Sequence, residues 1–324
     1  MRSVQAYQEL FSAHLSSLSF EKKPKGLYEP ISYIIQLGGK RMRPVLSLMA
    51  CEAVGKDPIS ALAAATAVEL FHNFTLLHDD IMDEATLRRG QQTVHHKWDV
   101  NTGILSGDAL LVTAYQQLNT YDDFLFSKLT KLLSETALLV CQGQQYDVDF
   151  ETRDNVSMDE YIHMIRLKTA VLLGCALRMG ALAGQASGDI ADSLYDFGVN
   201  LGIAFQLQDD LLDAFGDPKT FGKKVGGDII ENKKTILYHI TRAHATAKDL
   251  ADFEQLISST PQDEDQKIND VKAIYESTDA RRRTTEQVMT YTEKALDALN
   301  QSSLAASQLA YFTAFAEELM VRTK

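Results

Sequence analysis

The sequence predicts an all-helical bundle for this 324-residue chain. Only 6 prolines are present; 59–217 contains none of these strong helix breakers, and 219–324 contains one, Pro261. Within these tracts apolar residues recur at intervals of three and four, as at Leu70, Phe74 and Leu77. Sustained alternation of the strand type is absent. We therefore expect about ten helices, most of them long.

The expected helices end at clusters of glycine, proline or polar residues, which favour turns. Between these clusters, runs such as 61–67 and 305–310 are rich in strong helix formers. No repeat of roughly 20 to 50 residues is present, so we expect a single domain over residues 1–324. The breaks are expected at 24–26, 38–39, 56–58, 88–90, 154–157, 184–188, 216–227 and 258–267.

The net charge of −12 argues against nucleic acid as a partner, because an acidic surface repels phosphate backbones. No stretch approaches the roughly 18 to 20 uncharged apolar residues of a membrane-spanning helix. The longest apolar run, 170–184, contains Arg178 and is typical of a buried helix. We therefore expect no membrane span.

Cysteine usage and the amino terminus favour a cytoplasmic protein. The three cysteines are widely spaced and odd in number, which is not the pattern of a disulfide framework or a zinc site. Residues 1–20 lack the unbroken apolar core of a secretory signal.

The sequence Asp-Asp-x-x-Asp occurs twice, at 79–83 and 209–213, each time after an apolar helical segment. On a helix the first and last aspartates of each copy share one face, about 6 Å apart along the axis. Such carboxylates repel each other unless a cation neutralises them, and oxygen-only ligands favour magnesium. We expect the two copies to face each other across a cavity. The candidate metal ligands are Asp79, Asp80, Asp83, Asp209, Asp210 and Asp213.

Basic residues accompany glycines in several short segments near these motifs. Arginine and lysine bind phosphate oxygens, and glycine lets the backbone approach them closely. Together with the acidic motifs they predict a site for two diphosphates, one bridged through magnesium and the other held directly. No P-loop signature is present, so we expect a small diphosphate ester as the electrophile. The segments are 38–44, 88–90, 168–169, 222–228 and 231–235.

Five blocks, taken in order, resemble the trans-polyprenyl diphosphate synthase family. They are Gly-Gly-Lys-x-x-Arg-Pro (38–44), the first Asp-rich motif with its Arg-Arg-Gly (79–90), Lys-Thr-Ala (168–170), Phe-Gln-x-x-Asp-Asp-x-x-Asp (205–213) and the Gly-Lys and Asn-Lys tail (222–234). The resemblance implies the isoprenoid synthase fold, in which helices surround a central cavity. It also implies a homodimer.

The implied reaction condenses an allylic diphosphate with isopentenyl diphosphate. In this family several magnesium ions, held by both Asp-rich motifs, bridge the allylic diphosphate and act as Lewis acids as it leaves. Isopentenyl diphosphate then attacks the allylic cation, and loss of a proton gives a product one isoprene unit longer. The released diphosphate is the expected proton acceptor.

The resemblance also implies roles for individual residues. Those matching the isopentenyl diphosphate site are Lys40, Arg43, His72 and Arg89. Those matching the allylic diphosphate site are Arg88, Lys168, Thr169, Gln206 and Lys233, with Lys223 and Lys224 as alternatives for one further position. The residues expected to act in catalysis are Asp79, Asp83, Asp209, Lys168 and Lys233.

The sequence departs from the family pattern at a few positions. Gln92 stands where many relatives have proline, and Asn232 replaces a common glycine directly before Lys233. Neither change removes a charge, so we expect local geometry rather than activity to differ.

Product length has one physical indicator, the aromatic pair Phe71 and Phe74 upstream of the first motif. Phe74 precedes Asp79 by five residues, about 7.5 Å along a helix. A ring there would form the floor of the cavity into which the product grows. We therefore expect a short product, farnesyl or geranylgeranyl diphosphate.

Three alternatives remain open at this point. Two Glu-x-x-His pairs, Glu69 with His72 and Glu160 with His163, have the spacing of a di-iron carboxylate protein. A helical subunit without activity is a second alternative, although such subunits generally lose one Asp-rich motif. A terpene cyclase of the same fold is the third, although it has no evident use for 38–44 and Arg89.

Overall fold

The computed structural model describes residues 1–217, 225–259 and 263–321, and it confirms the all-helical prediction. The first helices are α1 (Val4–Ser17), α2 (Lys25–Gln36), α3 (Met42–Ala53), α4 (Leu62–Met82), α5 (Val94–Lys97), α6 (Val100–Gln117), α7 (Asp123–Thr152) and α8 (Met158–Ile165). They are followed by α9 (Val171–Ala183), α10 (Gly188–Phe215), α11 (Gly227–Ile230), α12 (Ile236–His244), α13 (Ala247–Ser258), α14 (Glu264–Ser277), α15 (Ala280–Asn300) and α16 (Ala306–Val321).

Short elements lie at several of the expected breaks. Within the described ranges the strands are β1 (Leu87–Arg88) and β2 (Gln91–Gln92), an antiparallel pair with Leu87 opposite Gln92. In the described ranges the helical segments outnumber the ten or so expected, because single turns such as α5 and α11, with 4 residues each, are separate helices.

The chain divides into two compact units, Met1–Thr136 with Cys175–Tyr195, and Ala137–Gly174 with Asp196–Lys324. The single domain expected over the whole chain stays a prediction.

Helix α4 is the centre of the first unit. Val68, Leu70 and Phe71 are completely buried in it. Together with the 3₁₀ turn before it, the helix forms a span, Pro58–Met82, that is long and apolar enough by composition to cross a membrane. We expected no such stretch. However, 61% of its apolar window is buried inside the protein, as is typical of a core helix.

Glycines let α6 lie close to the carboxyl-terminal end of α4, which carries the first Asp-rich motif. A Cβ atom at Gly107 would lie 2.2 Å from Nε2 of His78, and one at Gly103 would lie 2.8 Å from Cδ1 of Ile81. A larger residue at either position would force the side chain of His78 or Ile81 to move.

In the second unit, glycines position the π-helical turn Arg166–Ala170, which joins α8 to α9. A Cβ atom at Gly143 in α7 would lie 2.2 Å from the backbone nitrogen of Lys168. A Cβ atom at Gly202 in α10 would lie 2.7 Å from Cα of Ala170. The turn is therefore fixed by close backbone contacts with α7 and α10.

Candidate active site

The first Asp-rich motif lies at the end of α4, and its three aspartates differ in exposure. Asp80 is only 2% exposed, Asp79 is half-buried and Asp83 is exposed. We expected the whole motif to be helical, but α4 ends at Met82 and Asp83 is its C-cap. The amide of Asp83 still donates to the carbonyl of Asp79 at 2.8 Å, so the helical spacing of the two backbones is kept.

Asp80 binds Arg88, which lies in the strand pair that follows α4. Nε of Arg88 lies 2.9 and 2.8 Å from the two carboxylate oxygens of Asp80, and Nη2 lies 2.7 Å from Oδ1. This forked contact gives geometric specificity as well as charge neutralisation. A candidate metal ligand and a candidate allylic diphosphate residue are thus bound to each other.

Arg43 and His72 form the centre of a cluster of cations in the first unit. Nη1 of Arg43 lies 3.1 Å from Nε2 of His72, and the arginine can only donate, so Nε2 accepts. Burial lowers the pKa of Arg43 to about 10. Burial and the charges of four arginines, led by Arg43, hold the pKa of His72 well below its usual value. The ring of His72 therefore resists taking up a proton. Nε of Arg43 is buried and has no hydrogen-bond partner in the described part of the chain.

Arg89 lies against the glycine pair that precedes Arg43. Its Nη1 donates to the carbonyl of Gly38. A Cβ atom at Gly39 would lie 2.6 Å from Nη2 of Arg89, so the glycine permits this close approach. Lys40 is exposed, and its carbonyl accepts from the side chain of Gln8 at 3.0 Å. The structure thus brings three of the predicted isopentenyl diphosphate residues, Arg43, His72 and Arg89, into one cluster.

A buried pair that supports this cluster was missed in the sequence. Arg41 has the left-handed φ of 49° and donates to Glu69 and to the carbonyl of Ile35. Asn73 also donates to Glu69, at 3.0 Å. The basic loop is thereby fastened to α4 next to His72. In the sequence, Arg41 was evident only as a member of the basic segment 38–44, and Glu69 only as a member of a di-iron spacing.

In the second unit the middle aspartate of the motif is again buried. Asp210 is 4% exposed, accepts a hydrogen bond from the hydroxyl of Tyr161, and accepts another from Nε2 of Gln206 at 3.2 Å. Burial raises the pKa of Asp210 to about 8, and the nearby charge of Asp228 adds to the effect. Neutral donors hold this carboxyl group, whereas an arginine holds Asp80.

The Lys168-Thr169 pair lies in the π-helical turn. Oγ1 of Thr169 lies 3.4 Å from Oε1 of Gln206, which links it to Asp210. Nζ of Lys168 lies 2.5 Å from Oδ2 of Asp147 on α7, a partner that the sequence did not reveal. Three of the predicted allylic diphosphate residues, Lys168, Thr169 and Gln206, are therefore in the second unit.

Lys233 lies in a segment that contacts Asp213, the last aspartate of the second motif. The amide of Asp228 donates to Oδ1 of Asp213 at 3.0 Å. Nζ of Lys233 lies 2.6 Å from Glu231 and 3.5 Å from Asp228. Burial opposes the charge of Lys233, but the bond to Glu231 and the charge of Asp228 raise its pKa. Lys223 and Lys224 lie outside the described residues.

The two phenylalanines of the predicted cavity floor differ in their surroundings. Phe71 is completely buried, whereas Phe74 is half-buried. Their rings are 5.6 Å apart, and the Phe74 ring lies 4.7 Å from the ring of His78. Phe71 is part of the core of the first unit. The role of either ring in product length stays a prediction.

The donor chemistry fits magnesium shared with a phosphate rather than a closed metal site. In the described ranges no three His, Cys, Asp or Glu side chains are grouped so that they could hold an ion by themselves. Magnesium usually takes one or two carboxylates and completes its shell with waters and substrate phosphates. Aspartates four residues apart on α10, Asp209 and Asp213, supply such oxygens.

The di-iron alternative is not favoured by the contacts of its glutamates. Glu69 binds Arg41. Glu160 forms the capping box of α8 with Ser157 and binds Arg153 at 2.8 Å. Both glutamates are therefore engaged by protein groups.

Comparisons with known proteins agree with these motifs. The sequence model of the family "Polyprenyl synthetase" matches residues 24–277. The geranylgeranyl diphosphate synthase of Methanosarcina mazei is 43% identical over 66% of this chain and 67% of its own length. The geranylgeranyl pyrophosphate synthase of Geoglobus acetivorans is 36% identical over 91% of both chains. A crystal structure of a geranylgeranyl pyrophosphate synthase, 48% identical, covers all of both chains with a TM-score of 0.95. The chain belongs to the polyprenyl synthetase family of trans-prenyltransferases.

Proposed function

We propose that this enzyme condenses an allylic diphosphate with isopentenyl diphosphate and that its product is geranylgeranyl diphosphate. The observation that carries the two-substrate proposal is the buried Nε of Arg43, without a hydrogen-bond partner among the described residues, beside a neutral His72 and Arg89. A buried donor of this kind calls for an acceptor, and an anion supplies one. The relatives named as geranylgeranyl diphosphate synthases support the product.

The carboxylates of the Asp-rich motifs are proposed to hold the magnesium ions. Bound magnesium would act as a Lewis acid toward the departing allylic diphosphate. Asp79, Asp83, Asp209 and Asp213 are the best placed, because Asp80 and Asp210 are buried against protein donors. Lys168 and Lys233 then bind the phosphate oxygens of the allylic substrate directly.

Arg43, Arg89 and Lys40 are proposed to hold isopentenyl diphosphate without a metal. The charge of three cations offsets the anionic substrate, and the neutral His72 orients Arg43 by accepting its hydrogen bond. A terpene cyclase would not need this second anion site.

We also propose that the protein works in the cytoplasm as a homodimer, without a membrane span and without nucleic acid. Two apolar side chains on α6, Leu105 and Val112, are 60% and 57% exposed, seven residues apart and therefore on one helix face. Phe124 at the start of α7 is 71% exposed. Covering these side chains with a second copy would remove apolar surface from water. The net charge of −12 argues against nucleic acid.

The function is tested by incubating the purified enzyme and magnesium with isopentenyl diphosphate and, in separate reactions, dimethylallyl, geranyl or farnesyl diphosphate. Mass spectrometry should find geranylgeranyl diphosphate as the longest main product, with one diphosphate released per condensation. A hydrocarbon formed from farnesyl diphosphate alone would indicate a cyclase. No product and no diphosphate release with any starter would indicate an inactive subunit.

A further inference from the structure

Lys267 on α14 is a buried lysine that the proposed reaction does not use. It is only 4% exposed. Its Nζ donates to the side-chain oxygen Oδ1 of Asn232 at 2.6 Å and to the carbonyl of Ser259 at 2.9 Å. A buried ammonium is costly and is retained where its hydrogen bonds fix something. Its contact with Asn232 is the informative one, because Asn232 has a left-handed backbone conformation.

Asn232 adopts a backbone conformation that favours glycine. Its φ is +55°, and it follows the short helix α11, whose C-cap is Glu231. The amide of Asn232 donates to the carbonyl of Ile229 at 3.3 Å, and the amide of Lys233 donates to the carbonyl of Asp228 at 2.9 Å. These two bonds form a Schellman motif, in which the residue after the C-cap is left-handed and is usually glycine. Asparagine tolerates this conformation when its short side chain finds a hydrogen bond.

The position of Lys233 depends on this turn, because Lys233 is the next residue and its amide closes the motif. Helix α14 also holds the start of the same segment. A Cβ atom at Gly226 would lie 2.7 Å from Cδ1 of Ile268, the residue after Lys267. The amide of Gly226 donates to the carbonyl of Asp213 at 2.7 Å. The segment is thus fixed at one end by Asp213 and Ile268 and at the other by Lys267.

We propose that Lys267 is a positioning residue: its bond to Asn232 keeps the left-handed turn that places the ammonium group of Lys233 for the allylic diphosphate. In this enzyme the lysine and asparagine together do what a glycine does alone. The proposal rests on the proposed role of Lys233 in binding that substrate.

The test compares steady-state kinetics of K267M, N232G, the K267M/N232G double variant and the wild type. In K267M we expect KM for farnesyl diphosphate to rise about tenfold, while KM for isopentenyl diphosphate changes less than about twofold. N232G alone should keep KM for farnesyl diphosphate within about threefold of the wild-type value, because glycine adopts the turn without support, while the lost acceptor of buried Lys267 should lower its stability. In the double variant, glycine adopts the turn without support, so KM for farnesyl diphosphate should return to within about threefold of the wild-type value.

Two further variants keep the test decisive if K267M folds poorly. N232A leaves Lys267 in place but loses the side-chain acceptor and disfavours positive φ, so it should show the same selective rise in KM. K248M removes an exposed lysine on α13 and should change neither KM. Equal KM values in N232A, K267M and wild type would overturn the proposal, as would a double variant no better than K267M or an equal rise for both substrates. An inactive wild type would instead refute the proposed function.

Discussion

The guanidinium of Arg88 contacts both carboxylate oxygens of Asp80, at distances from 2.7 to 2.9 Å. The carboxylate is 3% exposed and the arginine side chain 24%. Removing one partner from such a pair leaves a buried charge without compensation, which costs several kcal/mol. The pair therefore joins the end of α4 to the strand pair that carries Arg89.

A double-mutant cycle of D80N and R88Q should show that these two residues act as a unit. Each single variant should lower kcat/KM for the allylic substrate by at least about tenfold, and the double variant should lose little more, giving a coupling energy of about 1–3 kcal/mol. D123N, at the exposed start of α7, serves as the control. Additive losses would mean that Asp80 and Arg88 have separate roles.

His72 should contribute no positive charge to the site near neutral pH. Burial and the arginines around it, led by Arg43, lower its pKa from 6.5. Below pH 6.5 the unfolded chain therefore binds more protons at this position, and the free energy of unfolding falls as the pH is lowered. In H72Q this fall should be smaller, while KM for isopentenyl diphosphate at about pH 7.5 should rise less than about threefold, because glutamine can also accept from Arg43. Identical pH dependence of unfolding in H72Q and wild type would contradict a lowered pKa of His72.

The carboxyl group of Asp210 should make the free energy of unfolding depend on pH in the opposite direction. Burial, with the charge of Asp228, raises its pKa from the ordinary value of 3.8 to about 8, so the folded protein holds a proton that the unfolded chain releases. The free energy of unfolding of the metal-free enzyme should therefore fall as the pH rises from about 4 to about 8. D210N removes the titrating group and should flatten this part of the curve. Chemical denaturation in EDTA at several pH values measures the free energy of unfolding of the wild type and of D210N. If D210N shows the same pH dependence as the wild type, Asp210 ionises normally.

Phe74 is the testable part of the predicted cavity floor. It is half-buried and its ring contacts that of His78, whereas Phe71 is completely enclosed. F74A should therefore shift the product distribution toward longer prenyl chains, which chromatography of the dephosphorylated products would detect. F71A should mainly lower stability, by about 3–5 kcal/mol, because it leaves a cavity in the core. An unchanged product distribution in F74A would show that Phe74 is not the floor.

The sequence predicts the motif residues but not all of their partners. Local spacing identifies Asp80 and Asp210 as equivalent members of two motifs. Their partners differ because Arg88 follows Asp80 by 8 residues, whereas Tyr161 lies 49 residues from Asp210 and meets it only through packing of helices. No short-range pattern encodes that second contact.

The helices, like the motif residues, could be predicted because the signals for them are local in sequence. Helical periodicity and the scarcity of proline are local properties, so the long helices are evident from sequence. Lys267 and Asn232 are 35 residues apart, and the left-handed turn at Asn232 has no glycine to mark it. Their pairing therefore became visible only in the structure.

Isothermal titration of the two substrates, with magnesium and with EDTA, tests the central claim that one diphosphate binds through metal and the other through cations alone. An unreactive thiolo analogue of farnesyl diphosphate should bind only with magnesium, and D79N/D83N should weaken that binding by at least about tenfold. Isopentenyl diphosphate should bind equally well in EDTA, and R43Q should abolish its binding. Loss of isopentenyl diphosphate binding on removal of magnesium, with R43Q binding like the wild type, would contradict the account.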